Sequence, residues 1–129
     1  MRYRFCWLIL ATLLAAAPAR AECPVNGAEA TSDAIAAAPT CAIAAAIYGV
    51  CTWGSSMDVQ FGQPVIEKCE AEFVHKLSKK DKNAYDRAQK RCTDQYAHKE
   101  GTLYLSLAMS CAVNVAKDYA KRFGRPKSG

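Results

Sequence analysis

Beyond Ala21, apolar residues return every three or four positions, and no stretch combines strict apolar/polar alternation with β-branched or aromatic enrichment. That periodicity is a helix signal, and the lack of that combination argues against strands. The expected fold is all-α: a small, disulfide-stapled domain of four to five helices ending in an antiparallel helical hairpin. A short alanine-rich helix leads to Pro39, with Ser32 or Asp33 as its cap. A second covers Cys41 to about Cys51, with Ile43, Ile47, Tyr48 and Val50 as its larger apolar residues. Thr52 to Ser56 reads as a turn, and Ser55 or Ser56 is available to cap the next helix. Met57 to Leu77 is helical in composition, with a break or fresh start expected near Gln63 because of Gly62 and Pro64. Past it, Ile66, Cys69, Phe73 and Leu77 share one stripe.

The last two helices carry the clearest signals. Ser78-Lys79-Lys80-Asp81 has the Ser-x-x-acid form of a helix start. Tyr85, Ala88, Cys92 and Tyr96 then recur along one face, with Lys80, Lys82, Arg87, Lys90 and Arg91 mostly elsewhere. Gly101 is placed as a left-handed stop and Thr102 as the next cap. Tyr104, Leu107, Ala108, Cys111, Val115, Tyr119 and Phe123 form the final stripe, closed by Gly124 and Pro126. With the turn at 101–102, Cys92 lies opposite Cys111, Tyr96 opposite Leu107 and Ala88 opposite Val115. Cys92–Cys111 is therefore the first disulfide expected, closing a loop of about 20 residues worth about 3 kcal/mol in the chain-entropy model. Its rival is Cys69–Cys92. With Cys92 used, the neighbours Cys51–Cys69 and Cys23–Cys41 remain, one choice among the fifteen connectivities open to six cysteines.

The beginning of the chain changes the picture of where these bridges form. Arg2 and Arg4 precede an apolar run from Phe5 to Ala17 interrupted only by Thr12, and Ala19-Arg20-Ala21 has the small-x-small pattern of a cleavage site. Thirteen residues cover about 20 Å of helix, short of the roughly 30 Å of a bilayer core. The expectation is a signal peptide over 1–21, cleaved near Ala21, and a single domain over 22–129. Cys6 leaves with the signal. An even set of six cysteines in a small exported chain points to disulfides and to a periplasmic or secreted protein.

Without Arg2, Arg4 and Arg20, fourteen bases face twelve acids, a net charge of +2. The two signs are segregated. Residues 22–72 hold seven acids and one base (Lys68), and residues 73–129 hold thirteen bases and five acids. Lys79, Lys80, Lys82, Arg87, Lys90 and Arg91 form a candidate basic contact face for an anionic membrane or cell-wall polymer. Nucleic acid is not expected, because the protein is exported and its tyrosines fall on the buried stripe rather than among the charges. Catalytic patterns are missing: His75 and His98 stand apart, no Cys-x-x-Cys occurs, and Glu67, Glu70 and Glu72 alternate with Lys68 like a wet helix face. The chain reads as a non-enzymatic, monomeric binding protein with no cofactor and no metal.

Residues 77–89, Leu77-Ser78-Lys79-Lys80-Asp81-Lys82-Asn83-Ala84-Tyr85-Asp86-Arg87-Ala88-Gln89, resemble a stretch of the LprI-like family of exported bacterial lysozyme inhibitors. In that family a Leu-Ser helix start leads into an Ala-Gln pair, here Ala88-Gln89. Gly101-Thr102-Leu103-Tyr104 and Cys111 resemble its glycine turn and the cysteine of its last helix. The likeness spans roughly residues 77–119. It implies a helical envelope protein and lysozyme, or another envelope protein, as partner. The chain departs from the family at Arg91-Cys92, where a tryptophan is usual, and lacks the family's Leu-Asn-x-x-Tyr and final Thr-x-x-Arg. No inhibitory residue carries over. Lysozymes are commonly basic, so such a contact would fall to the acidic segment before Phe73.

Overall fold

The computed structural model describes residues 22–125; the expected signal peptide, its cleavage site and Pro126 lie outside them. All regular structure among the described residues is helical: α1 (Ala28–Ala37), α2 (Cys41–Cys51), α3 (Met57–Phe73), α4 (Lys79–Asp94) and α5 (Thr102–Phe123), with a 3-10 turn at Val74–Lys76. The longest helix, α5, lies at the centre. It packs most extensively on α3, receives α4 on a second side and meets α2 on a third, while α1 closes over α2 and α3. Ile35, Tyr48, Phe61, Val65, Phe73, Tyr85, Val113 and Ala116 are buried in one core. Phe73 is fully buried. It meets Tyr85 edge to face at 5.1 Å and Tyr119 at 5.8 Å, and burial of one such ring contributes roughly 1.5–3 kcal/mol.

Helix ends differ from the sequence reading in instructive ways. Helix α1 starts earlier, at Ala28 behind Gly27 (φ 93°), and neither Ser32 nor Asp33 caps it. Thr31 is buried instead, its hydroxyl donating to the Gly27 carbonyl at 2.9 Å. Alanine propensity carries the helix through the expected cap, and Pro39 limits it at the other end. At α4 the expected start is present, with the Ser78 hydroxyl accepting from the Asp81 N–H. Gly101 does not stop α4. That helix ends at Asp94 and unwinds through turns to Lys99. Gly101 (φ 107°) precedes α5, and Thr102 is its first residue rather than its cap.

The expected break at Gln63 does not occur, and α3 is continuous with Pro64 inside it. Pro64 and Gln60 both lie on the exposed face, so water can reach the Gln60 carbonyl that proline leaves without a donor. Gly62 is a packing device, not a break. A β-carbon there would collide with Met109 Cγ of α5 and stand 3.2 Å from the Tyr48 ring. Glycine is what lets α3 and α5 approach this closely.

Three disulfides staple the bundle. Cys92–Cys111 joins α4 to α5. The other two correct the sequence assignment: Cys41 pairs with Cys69 and Cys23 with Cys51, rather than Cys51 with Cys69 and Cys23 with Cys41. Because α3 runs unbroken, Cys69 lies far from the α2–α3 turn and opposite the start of α2, beyond the reach of Cys51. Such bridges point to an oxidising, extracytoplasmic environment. No helix among the described residues is long and apolar enough to cross a membrane.

Gly62→Ala is expected to lower stability by about 1 kcal/mol net, overpacking outweighing the gain in helix propensity. Urea denaturation of the oxidised protein measures it; unchanged or increased stability would mean that Met109 yields freely.

Candidate functional site

Two of the three glutamates that resemble a wet face, Glu70 and Glu72, turn out to be structural. Glu67 is exposed, but Lys68, Glu70 and Glu72 are half-buried and each holds a neighbouring element. Lys68 Nζ donates to the Ala36 and Ala38 carbonyls at 3.1 and 2.7 Å, capping the C-terminus of α1. One turn on, Glu72 Oε1 accepts from the Cys41 N–H at 2.7 Å at the N-terminus of α2. Cation and carboxylate thus sit at the helix ends whose dipoles favour them. Glu70 Oε1 accepts from the Tyr85 hydroxyl at 2.8 Å. Gln89 Nε2 donates to that same hydroxyl at 2.8 Å and to the Ala112 carbonyl at 3.1 Å, tying α4 to α5.

Asp58 has no counterpart in the sequence reading. It is completely buried. Its Oδ2 accepts from the Gly54 and Ser55 N–H groups at 2.8 and 3.0 Å and from the Ser106 hydroxyl at 2.6 Å. Its Oδ1 accepts from the Trp53 N–H at 3.1 Å. The α2–α3 turn therefore folds around this carboxylate, and no side-chain bond from Ser55 or Ser56 caps α3. The only sequence signal was an acid in the first turn of a helix after a Gly-Ser turn. No buried side-chain polar atom among the described residues lacks a partner, and neither His75 nor His98, both exposed, joins these networks. No group of acids, histidines and cysteines among the described residues could hold a metal ion.

Two surfaces remain. The first is the outer face of α4. Lys79, Lys80, Arg87, Lys90 and Arg91 are exposed, but Lys82 is only half-buried at the edge of this face. Lys82 is paired with Asp86 and lies near the Tyr85 ring, so it belongs with the packing side. Lys90 pairs with Asp94 at 2.7 Å. Lys79, Lys80, Arg87 and Arg91 have no ion-pair partner among the described residues.

The second surface is α2 with its turn. Helix α2 carries no charged residue, and Tyr48 points inward to Ser110 of α5 at 3.1 Å. Ala42, Ile43, Ala46 and Gly49 face outward, followed by Trp53, which is 80% exposed. Gly54 packs beside Leu103 of α5, which is exposed, as is Leu107. The Leu107 position is a further correction: it was expected opposite Tyr96, whose ring instead meets Tyr104 at 6.2 Å. A groove of about 580 Å³ runs beneath Trp53, lined also by Cys23, Val25, Val50, Met57 and Phe61.

Asp58→Ala is expected to lose about 3 kcal/mol, since it strands three N–H donors and a hydroxyl; chemical denaturation reads it, and a loss below 1 kcal/mol would mean water replaces the carboxylate. A second expectation concerns alkali. Burial pushes the Tyr85 hydroxyl above its ordinary range, and Glu70 pushes the same way; burial also raises Tyr48, with the Asp58 charge adding to it and the Ser110 bond opposing. Groups whose folded value is raised give stability that is complete below the unfolded value near 10 and lost above it. Stability should therefore be insensitive to these tyrosines at neutral pH and fall above about pH 10. Phenolate absorbance should show Tyr48 and Tyr85 ionising only as the protein unfolds; early ionisation of all tyrosines would contradict it.

Comparison with known proteins finds no family model, no curated protein and no solved structure that matches this chain.

Proposed function

We propose that this is an exported, non-enzymatic binding protein of the bacterial envelope, whose α4 outer face contacts an anionic polymer or lipid headgroup surface. The observation that carries the reading is the row of Lys79, Lys80, Arg87 and Arg91, exposed and without ion-pair partners among the described residues, on an outer helix. From Lys79 to Arg91 the row spans about 18 Å, enough for several successive anionic groups. The hairpin is braced by Cys92–Cys111 and Gln89, so the cations stand on a rigid base. The leader-like segment 1–21 and the disulfides support export to an oxidising compartment.

A lysozyme-inhibiting role is the second reading, and it rests on the resemblance to the LprI-like family. The residues that carry that resemblance have packing duties: Gln89 cross-links the hairpin and Cys111 bridges it. They therefore favour a shared hairpin over a shared inhibitory surface. What favours a basic partner is the other end of the molecule, where Glu22, Glu29 and Asp33 are exposed and no lysine or arginine occurs from residue 22 to 67.

The two readings separate in one set of experiments. Replacing Lys79, Lys80, Arg87 and Arg91 together by alanine should weaken binding to phosphatidylglycerol vesicles or a soluble polyphosphate about a hundredfold. Binding of the parent should fade between low and physiological salt. Lysozyme activity assayed with the oxidised protein, beside a reduced and alkylated control, tests the second reading. Binding that ignores salt and the four substitutions would sink the α4 proposal. Inhibition lost on reduction would establish the other.

A further inference from the structure

The chain holds three asparagines, Asn26, Asn83 and Asn114, and the fold treats them differently. An asparagine can lose its side-chain amide spontaneously when the backbone nitrogen of the next residue is free to attack its side-chain carbonyl carbon. Asn83 and Asn114 stand inside α4 and α5. There the following nitrogens, of Ala84 and Val115, are committed to carbonyls four residues back, and helical backbone holds them away from the side chain. The Asn114 side chain is also engaged, its Oδ1 accepting from Lys117 Nζ at 3.1 Å.

Asn26 has none of these restraints. It precedes Gly27 in the irregular stretch between Cys23 and α1, and both residues are exposed. The bonds that fix Gly27 fall on its carbonyl, which accepts from the Thr31 N–H at 3.1 Å and from the Thr31 hydroxyl at 2.9 Å. Among the described residues, neither the Gly27 N–H nor the Asn26 side-chain amide has a partner. Gly27 has no side chain to shield its nitrogen, and open space surrounds the place where a β-carbon would sit. Nucleophile and carbonyl carbon are thus adjacent, solvated and unengaged.

We infer that Asn26 is a site of spontaneous self-modification. Base removes the Gly27 amide proton, and the nitrogen attacks Asn26 Cγ. The new N–Cγ bond closes a five-membered imide, the Cγ–Nδ2 bond breaks, and ammonia leaves with a proton taken from water. Water then opens the ring. Cleavage of N–Cγ leaves an aspartate. Cleavage of the original peptide C–N bond leaves an isoaspartate, in which the main chain runs through Cβ and Cγ and the α-carboxylate is free.

The fold accepts either product. Residues 24–27 belong to no helix, so one extra main-chain carbon is absorbed between the Cys23–Cys51 bridge and α1. The first turn of α1 has no side-chain cap, and a carboxylate just ahead of it lies at the positive end of the helix. Asn26 also lines the groove beneath Trp53, so that groove gains an acid and the net charge falls by one. The change runs one way, and the charge of each molecule therefore records its age.

The purified oxidised protein, incubated at neutral to mildly alkaline pH, should release ammonia and move to a more acidic position on isoelectric focusing, faster as pH rises. Peptide mapping should place the change at residue 26, in aspartyl and isoaspartyl forms, with Asn83 and Asn114 intact. Asn26→Gln should abolish the shift, and Asn26→Asp should start at the acidic position. The reduced and alkylated chain in guanidinium chloride supplies the rate without a fold. Asn26 should react in the folded protein within a few-fold of that rate, because no opening of the structure is needed first. Suppression by about a hundredfold or more in the folded protein would show that the fold protects Asn26 and overturn the proposal. An acidic shift that survives Asn26→Gln would overturn it as well.

Discussion

A single buried carboxylate organises one end of this molecule. Asp58 gathers the N–H groups of Trp53, Gly54 and Ser55 and the hydroxyl of Ser106, so the turn after α2, the start of α3 and the start of α5 share one anchor. A buried acid is costly unless its lone pairs are satisfied, and here four donors converge on two oxygens. That anchor sets the register of α3 against α5. Gly62, one turn along α3, then falls under Met109, where only a hydrogen atom fits.

The opposite corner uses charge at a smaller scale. Lys68 and Glu72 reach from α3 to the end of α1 and the beginning of α2, and Cys41–Cys69 fixes the same corner covalently. Helix α2 is therefore held at its first residue by Cys69 and at its last by Cys23. This explains how an eleven-residue helix of alanine and branched apolar residues keeps its place with one face uncovered. Polar side chains that would normally make such a helix soluble are missing, and the restraint comes from its neighbours.

Much of this was legible in the sequence where local rules act alone. The Ser78 start, the Cys92–Cys111 bridge and the all-helical periodicity come from capping and spacing. The equal-distance argument that paired Cys92 with Cys111 also pairs Cys41 with Cys69 about the Trp53–Ser56 turn, provided α3 is unbroken. Treating Gly62 and Pro64 as breakers hid it, because whether Gly62 breaks a helix or admits a neighbour depends on Met109, about fifty residues away in sequence. Lys68, Glu70 and Glu72 were misread for the same reason: alternating charge looks solvated until the backbone ends it serves are in place. Asp58 carries no mark in sequence that separates it from an ordinary first-turn acid. Of the α4 cations, Lys79, Lys80, Arg87, Lys90 and Arg91 are exposed, as their places on the helix suggest, whereas pairing with Asp86 draws Lys82 to the edge.

The overlap of the two 28-residue loops has a consequence for biogenesis. A chain entering an oxidising compartment from its N-terminus presents Cys23 to Cys41 before Cys51 has arrived, and Cys51 to Cys69 soon after. Joining thiols in order of arrival therefore traps the first four cysteines in the wrong pairs, while Cys92 and Cys111 are joined correctly. Native connectivity requires Cys23 and Cys41 to wait until α2 and α3 have docked, or a thiolate to reopen the early bridge. Maturation of this protein is thus coupled to the thiol-disulfide exchange capacity of its compartment, and not only to the presence of an oxidant.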